Sequence, residues 1–86
     1  MDTSLLAVQG VITEITPMRS QLCNCVLTLD TGNGIVNVIV SPSTCIVGDV
    51  PLNTGMAIAA FYDANAPMLL IYPPQYNALI IEKIKL

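Results

Sequence analysis

The side chains of this chain that could take part in chemistry gather late in the sequence. Phe61-Tyr62-Asp63, followed by Tyr72 and Tyr76 around Pro73-Pro74-Gln75, hold all three tyrosines and the only phenylalanine. Rings beside an acid and an amide can stack on a base or a sugar and hydrogen-bond its edge. Phe61, Tyr62, Asp63, Tyr72, Gln75 and Tyr76 are therefore the candidate ligand-binding residues. A structural role competes with this one. Pro73-Pro74 would then run as an extended polyproline segment, with Tyr72 and Tyr76 folding the loop onto the domain as a plug. Asp63, just before Ala64-Asn65-Ala66-Pro67, would open the loop by accepting backbone N–H groups.

Catalysis has little to work with. A nucleophile needs a base close to it, and the chain has no histidine. Its carboxylates, Asp2, Glu14, Asp30, Asp49, Asp63 and Glu82, all lie more than ten residues apart in sequence. The expectation is a protein that is not an enzyme and has no catalytic residue and no cofactor. The cysteines are Cys23, Cys25 and Cys45. An odd number does not make a disulfide framework. Without histidine, a zinc site would need carboxylates or a second subunit, so no metal site is expected. The three cysteines read as small, reduced, buried residues; a bridge from Cys45 to Cys25 or Cys23 is the alternative.

Charge narrows the partners. Arg19, Lys83 and Lys85 are the only cations against six acids, for a net charge of −3. Nucleic-acid affinity comes largely from neutralising phosphates, and three cations cannot line a groove. The same count argues against anionic membrane surfaces. No run of about 20 apolar residues is present to insert in a bilayer. Met1-Asp2-Thr3-Ser4 carries an acid where a signal peptide carries positive charge. The chain reads as cytoplasmic, or as exported if a signal sequence has been removed. Charged residues are only 10% of the chain and hydrophobic ones 53%, against a usual charged share of about 25%. A chain this short buries roughly 60–65% of its unfolded surface, so a sizeable apolar patch is expected outside. Self-association, or contact with another protein, is its simplest use.

The elements that must position the aromatic residues read as strands. Residues 5–16 are rich in β-branched residues, with Gly10 marking a bulge or bend. Pro17 is expected to end that strand. Residues 22–30 place Cys23, Cys25, Leu27 and Leu29 on one face. Asp30-Thr31-Gly32-Asn33-Gly34 reads as a hairpin loop. Residues 35–41 return with Val36, Val38 and Val40 on one face. The connector 42–55 holds a single turn at Ser41-Pro42-Ser43-Thr44 and a short strand at Val47-Gly48-Asp49-Val50. Residues 56–63 are read as a strand over the competing helix, because the alanine-rich stretch is short and ends in Phe-Tyr-Asp. Residues 77–85 form the last strand.

A bent first strand, a hairpin, a longer connector and two closing strands give an all-β chain. Its expected architecture is a single domain, 1–86, folded as a five-stranded OB-fold-like Greek-key barrel. An SH3-like barrel and a small open sandwich are the alternatives. Three segments carry a resemblance: Val8-x-Gly10-x-Ile12-x-x-Ile15, the run Gly55-Met56-Ala57-Ile58-Ala59-Ala60-Phe61-Tyr62-Asp63, and Pro67-x-x-x-Ile71-Tyr72-Pro73-Pro74-Gln75-Tyr76-x-Ala78. Together they resemble a small β-barrel domain of Gram-positive, clostridia-like bacteria. That domain occurs alone or joined to others in exported proteins, including ones with copper-amine-oxidase N-terminal-like modules. The family has no assigned activity, so the resemblance implies a fold and no mechanism. The expected function is a non-enzymatic binding or assembly module that self-associates through apolar surfaces. Binding of single-stranded nucleic acid, or of a small neutral ligand such as a sugar, on the aromatic loop is the alternative.

Overall fold

The computed structural model describes residues 4–18, 24–67 and 70–85. The strands are β1 (Leu5–Pro17), β2 (Cys25–Asp30), β3 (Ile35–Val40), β4 (Cys45–Ile46), β5 (Ala57–Asp63), β6 (Gln75–Asn77) and β7 (Ile80–Lys83). They form one mixed sheet of seven strands in the order β4-β7-β5-β1-β2-β3-β6. Only β3–β6 and β4–β7 are parallel pairs. The protein is all-β among the described residues, apart from one 3-10 turn at Val47–Asp49.

β1 is the middle strand of the seven and changes partner along its length. Its first half pairs with β5 from Leu5↔Asp63 to Val11↔Ala57, and its second half with β2 from Val11↔Asp30 to Pro17↔Cys25. Changing partners requires a bend, and two local features supply it. At Gly10 a Cβ would lie 2.7 Å from the Asp30 carbonyl oxygen, so only glycine lets the two backbones approach this closely. Next to it, the β1–β2 register shifts between Ile12 and Glu14. This bulge leaves Thr13 out of the ladder, its Oγ1 donating to the Thr28 carbonyl at 3.2 Å. A bulge breaks strict alternation, and here it keeps both Ile12 and Ile15 on the core side, opposite Leu29 and Leu27.

The core sits on one face of the sheet. Ile12, Leu27, Leu29, Val36, Val38, Val40, Ile58, Ala60, Ala78 and Ile81 form a single buried cluster. Of the alternation expected over residues 22–30 and 35–41, the part within β2 and β3 is observed, with Leu27, Leu29, Val36, Val38 and Val40 all inward. The expected hairpin is present as well. Thr31 N–H donates to the Gly34 carbonyl at 3.0 Å, and Gly32 N–H to Asp30 Oδ1 at 2.9 Å. Gly34, at φ 146°, takes a conformation that a side chain would disfavour. The turn expected at Ser41–Thr44 closes by Thr44 N–H to the Ser41 carbonyl at 3.0 Å.

Several expectations are corrected. Seven strands replace five, and the ladder does not close into a barrel, because its ends are β4 and β6. The last strand, expected over 77–85, is split. Residues 75–77 pair in parallel with β3, whereas 80–83 pair antiparallel with β5. At the break, Ala78 N–H donates to the Ile39 carbonyl and Leu79 N–H to the Phe61 carbonyl. The extra strand β4 forms because Thr44 Oγ1 and Cys45 N–H bond the Ala78 and Leu79 carbonyls at 2.8 and 2.9 Å. Val47–Asp49, expected as a strand, is a 3-10 turn, with Gly48 at φ 77° and Asp49 at φ 52°. Pro17 does end β1 as expected, although Met18 N–H still donates to the Asn24 carbonyl. Cys45 is exposed instead of buried, because it lies opposite Ile80 on the outer face. Cys25 is half-buried, both Cys25 and Cys45 are free thiols, and Cys23 and Arg19 lie outside the described residues. No helix among the described residues is long and apolar enough to cross a membrane.

The Gly10 contact predicts that Gly10→Ala lowers the unfolding free energy by about 1–3 kcal/mol, the usual cost of overpacking. The urea midpoint at unchanged slope reads this directly. A midpoint equal to that of the parent chain would show that β1 and β2 separate there without loss.

Candidate functional site

Strand alternation decides where each aromatic residue of β5 goes. Ile58 and Ala60 are buried in the core, so Tyr62 follows them on the inner face, and Phe61 falls on the outer face. In β6, Tyr76 is the register partner of the core residue Val38 and packs against the core cluster. Tyr62 and Tyr76 meet at the rim, with ring centroids 4.6 Å apart and planes tilted by 45°. Such a pair contributes about 0.5–1.5 kcal/mol beyond its burial.

The two rings stand where the sheet opens. The β5–β7 ladder ends at Phe61↔Ile80, before the end of β5, and β6 ladders only with β3. The divergence of β5 and β6 leaves a hollow of about 190 Å³. Tyr62 and Tyr76 line it, together with Asp63, Gln75 and Asn77. Ala66, Pro67 and Leu79 complete its apolar side. The loop after β5 is held in place by Asp63. Its Oδ1 accepts the Asn65 N–H at 2.8 Å, and its carbonyl accepts the Ala66 N–H at 3.1 Å. This is the Asx-type turn expected of an aspartate at a loop start. At the other end of the loop, the Pro74 carbonyl accepts the Asn37 N–H at 2.8 Å and anchors β6 to β3.

Of the six residues singled out from sequence, the hollow gathers Tyr62, Asp63, Gln75 and Tyr76. Phe61 is not in its lining, and Tyr72 is 84% exposed beside the exposed Leu70 and Ile71. The two tyrosines nearest in sequence therefore do not form a platform together; the ring pair joins Tyr76 to Tyr62 instead. The chain bends at Tyr72 and Pro73, and the peptide between them is cis. Asn77 and Leu79 were missed. Their signal lies in the split of the last strand, which depends on tertiary pairing and leaves no periodicity to read.

Among the described residues, the hollow is lined by one acid and by no lysine or arginine. Burial first, and repulsion from an ionised Tyr76 second, push the Tyr62 phenol above its ordinary value. Burial likewise raises the Cys25 thiol. The reactive form of cysteine is the thiolate, so this shift works against nucleophilic use of Cys25. Among the described residues no group of three metal-ligating side chains converges. A second, open groove of about 490 Å³ runs beside the hairpin, lined by Gln9, Gly10, Val11, Thr13, Asp30, Thr31 and Gly32. It brings no ring and no base to a ligand.

Comparison with protein-family models, with curated proteins and with solved structures finds no match for this chain. The fold and the site stand on their own geometry: an all-β chain with an open mixed sheet and a two-tyrosine hollow at its opening.

The raised phenol gives a signed pH prediction. The unfolded chain releases a tyrosine proton near pH 10, and folded Tyr62 releases it later. Its contribution is therefore complete below about pH 10 and is lost as pH rises through the folded value. Alkaline phenolate titration of the native chain is expected to show a late step that disappears in Tyr62→Phe. A late step that survives the substitution would place the raised phenol elsewhere.

Proposed function

We propose that this chain is a non-enzymatic assembly module built on an OB-type scaffold, and that it self-associates through the outer face of its sheet. The observation that carries the proposal is an apolar row registered across four strands. Cys45 lies opposite Ile80, Ile80 opposite Phe61, and Phe61 opposite Ala7. All four are on the face turned away from the core, where Leu5 lies two pairs further on, opposite Asp63. Leu5, Ala7 and Cys45 are exposed, and Phe61 and Ile80 are half-buried by their neighbours. A registered apolar row on a rigid sheet fits the same row of a second copy about a two-fold axis, as closed homodimers require. An aromatic anchor at its middle suits the water-excluded centre of such a contact.

The scaffold reading is supported by the path of residues 75–83. This segment bonds β3 at one end and β5 at the other. It thus follows the course that the closing strand takes in an OB-type Greek key. The same reading keeps the resemblance to the small clostridial barrel domain. Single-stranded nucleic acid draws no support from the hollow, whose lining among the described residues contains no cation to meet a phosphate.

Sedimentation velocity at high micromolar concentration tests the assembly. The parent chain is expected to run as a dimer or larger. Phe61→Asp and, separately, Ile80→Lys are expected to run as monomers with unchanged far-ultraviolet circular dichroism. Tyr72→Ser, at the exposed loop tip, is expected to leave the assembly intact. A stable monomer for the parent chain would sink the proposal, and a monomer for Tyr72→Ser alone would move the contact to the loop.

A further inference from the structure

We infer that the hollow between β5 and β6 is a binding site for a quaternary ammonium group. Four observations converge on this chemistry. The first is the ring pair: Tyr62 and Tyr76 pack on each other at 4.6 Å and 45°, and both line the hollow, so two aromatic rings border one space. The faces of such rings are electron-rich and attract a cation placed against them.

The second observation is Asp63. Its Oδ1 is engaged by the Asn65 N–H. Among the described residues no cation pairs with this carboxylate, although it lines an apolar-sided hollow. A bound cation would supply the counter-charge that the fold leaves out. An anionic ligand would meet a carboxylate with no base to offset it.

The third observation is the apolar side of the hollow. Ala66, Pro67 and Leu79 offer no acceptor to the N–H donors of a primary ammonium. The methyl groups of a quaternary one pack against such walls and need none. The fourth is size. About 190 Å³ is below the roughly 300–1,000 Å³ typical of sites for drug-sized molecules. The hollow thus suits a head group with the remainder of its molecule in solvent. The net charge of −3 adds a weak field of the favourable sign.

The head group could come from a free metabolite of the choline type or from a trimethylated lysine in a protein tail. Both are tested on the whole chain by following backbone amide resonances during titration. Choline and a short trimethyllysine peptide are the two probes. The neutral isostere 3,3-dimethylbutan-1-ol and a monosaccharide are the controls. Saturable shifts at Asp63 and Gln75–Asn77 are expected with at least one cationic probe and with neither control. Shifts with choline identify the head group alone as the determinant, and shifts with only the peptide identify a protein source. Asp63→Asn keeps an oxygen for the Asn65 N–H, and is expected to weaken the cation about threefold to tenfold without moving distant resonances. Tyr76→Leu is expected to weaken it similarly. Equal binding of the neutral isostere, undiminished binding by Asp63→Asn, saturation by the monosaccharide instead, or no shift with either cation would overturn the inference.

Discussion

The close approach of two backbones at Gly10 is the constraint on which the rest of the structure depends. β1 is the only strand that reaches both halves of the sheet, and it can do so only by bending where it changes partner. The bend brings the Asp30 carbonyl to a distance that no side chain at position 10 would tolerate. The bulge at Thr13 then restores the alternation on the far side of the bend. Without it, Ile12 and Ile15 would fall on opposite faces, and one of them would leave the core. Gly10 and Thr13 thus act together: the first permits curvature, and the second keeps the apolar register through it.

Curvature of β1 also places β5 and β3 on opposite sides of one core, with the chain end from Gln75 to Lys83 running between them. That segment cannot ladder fully with both. It bonds β3 through residues 75–77 and β5 through residues 80–83, changing over at Ala78-Leu79. The connector before β5 uses the changeover, since Thr44 and Cys45 bond the Ala78 and Leu79 carbonyls. Where the two ladders part, β5 and β6 diverge, and Tyr62 and Tyr76 stand in the opening. The hollow is a direct consequence of incomplete closure.

Legibility in the sequence followed the range of the interaction responsible. The pattern Cys25-x-Leu27-x-Leu29 and the valines at 36, 38 and 40 announce inward faces, because alternation is local. The loop from Asp30 to Gly34 is equally plain, because its glycines and Asp30 make the turn with near neighbours. β4 was illegible: two residues carry no period, and they become a strand only through partners more than thirty positions away. Residue type alone favours a buried Cys45, and the pairing to Ile80 turns it outward. The site was half legible. Composition flagged Tyr62, Asp63, Gln75 and Tyr76 with Phe61 and Tyr72, but separating the first four from the other two needs the parity of β5 and the bend at Tyr72-Pro73.

The parity of β5 carries the functional argument further. Phe61 and Tyr62 are adjacent in sequence, and a strand sends adjacent side chains to opposite faces. One large ring therefore faces outward in the apolar row with Ile80, and the next faces inward to meet Tyr76. Asp63 follows Phe61 outward at the strand end, where its carboxylate turns the loop and still borders the hollow. A chain with only nine charged side chains (three basic, six acidic) has few means of setting one surface apart from another by charge. Strand geometry does it instead. Contact between copies on the outer face would bury Phe61 and leave the rim free. The two surfaces share a strand and meet at Asp63, but Phe61 belongs to the outer row alone and Tyr76 to the hollow alone, so each can be altered by substitution at a residue that the other does not use.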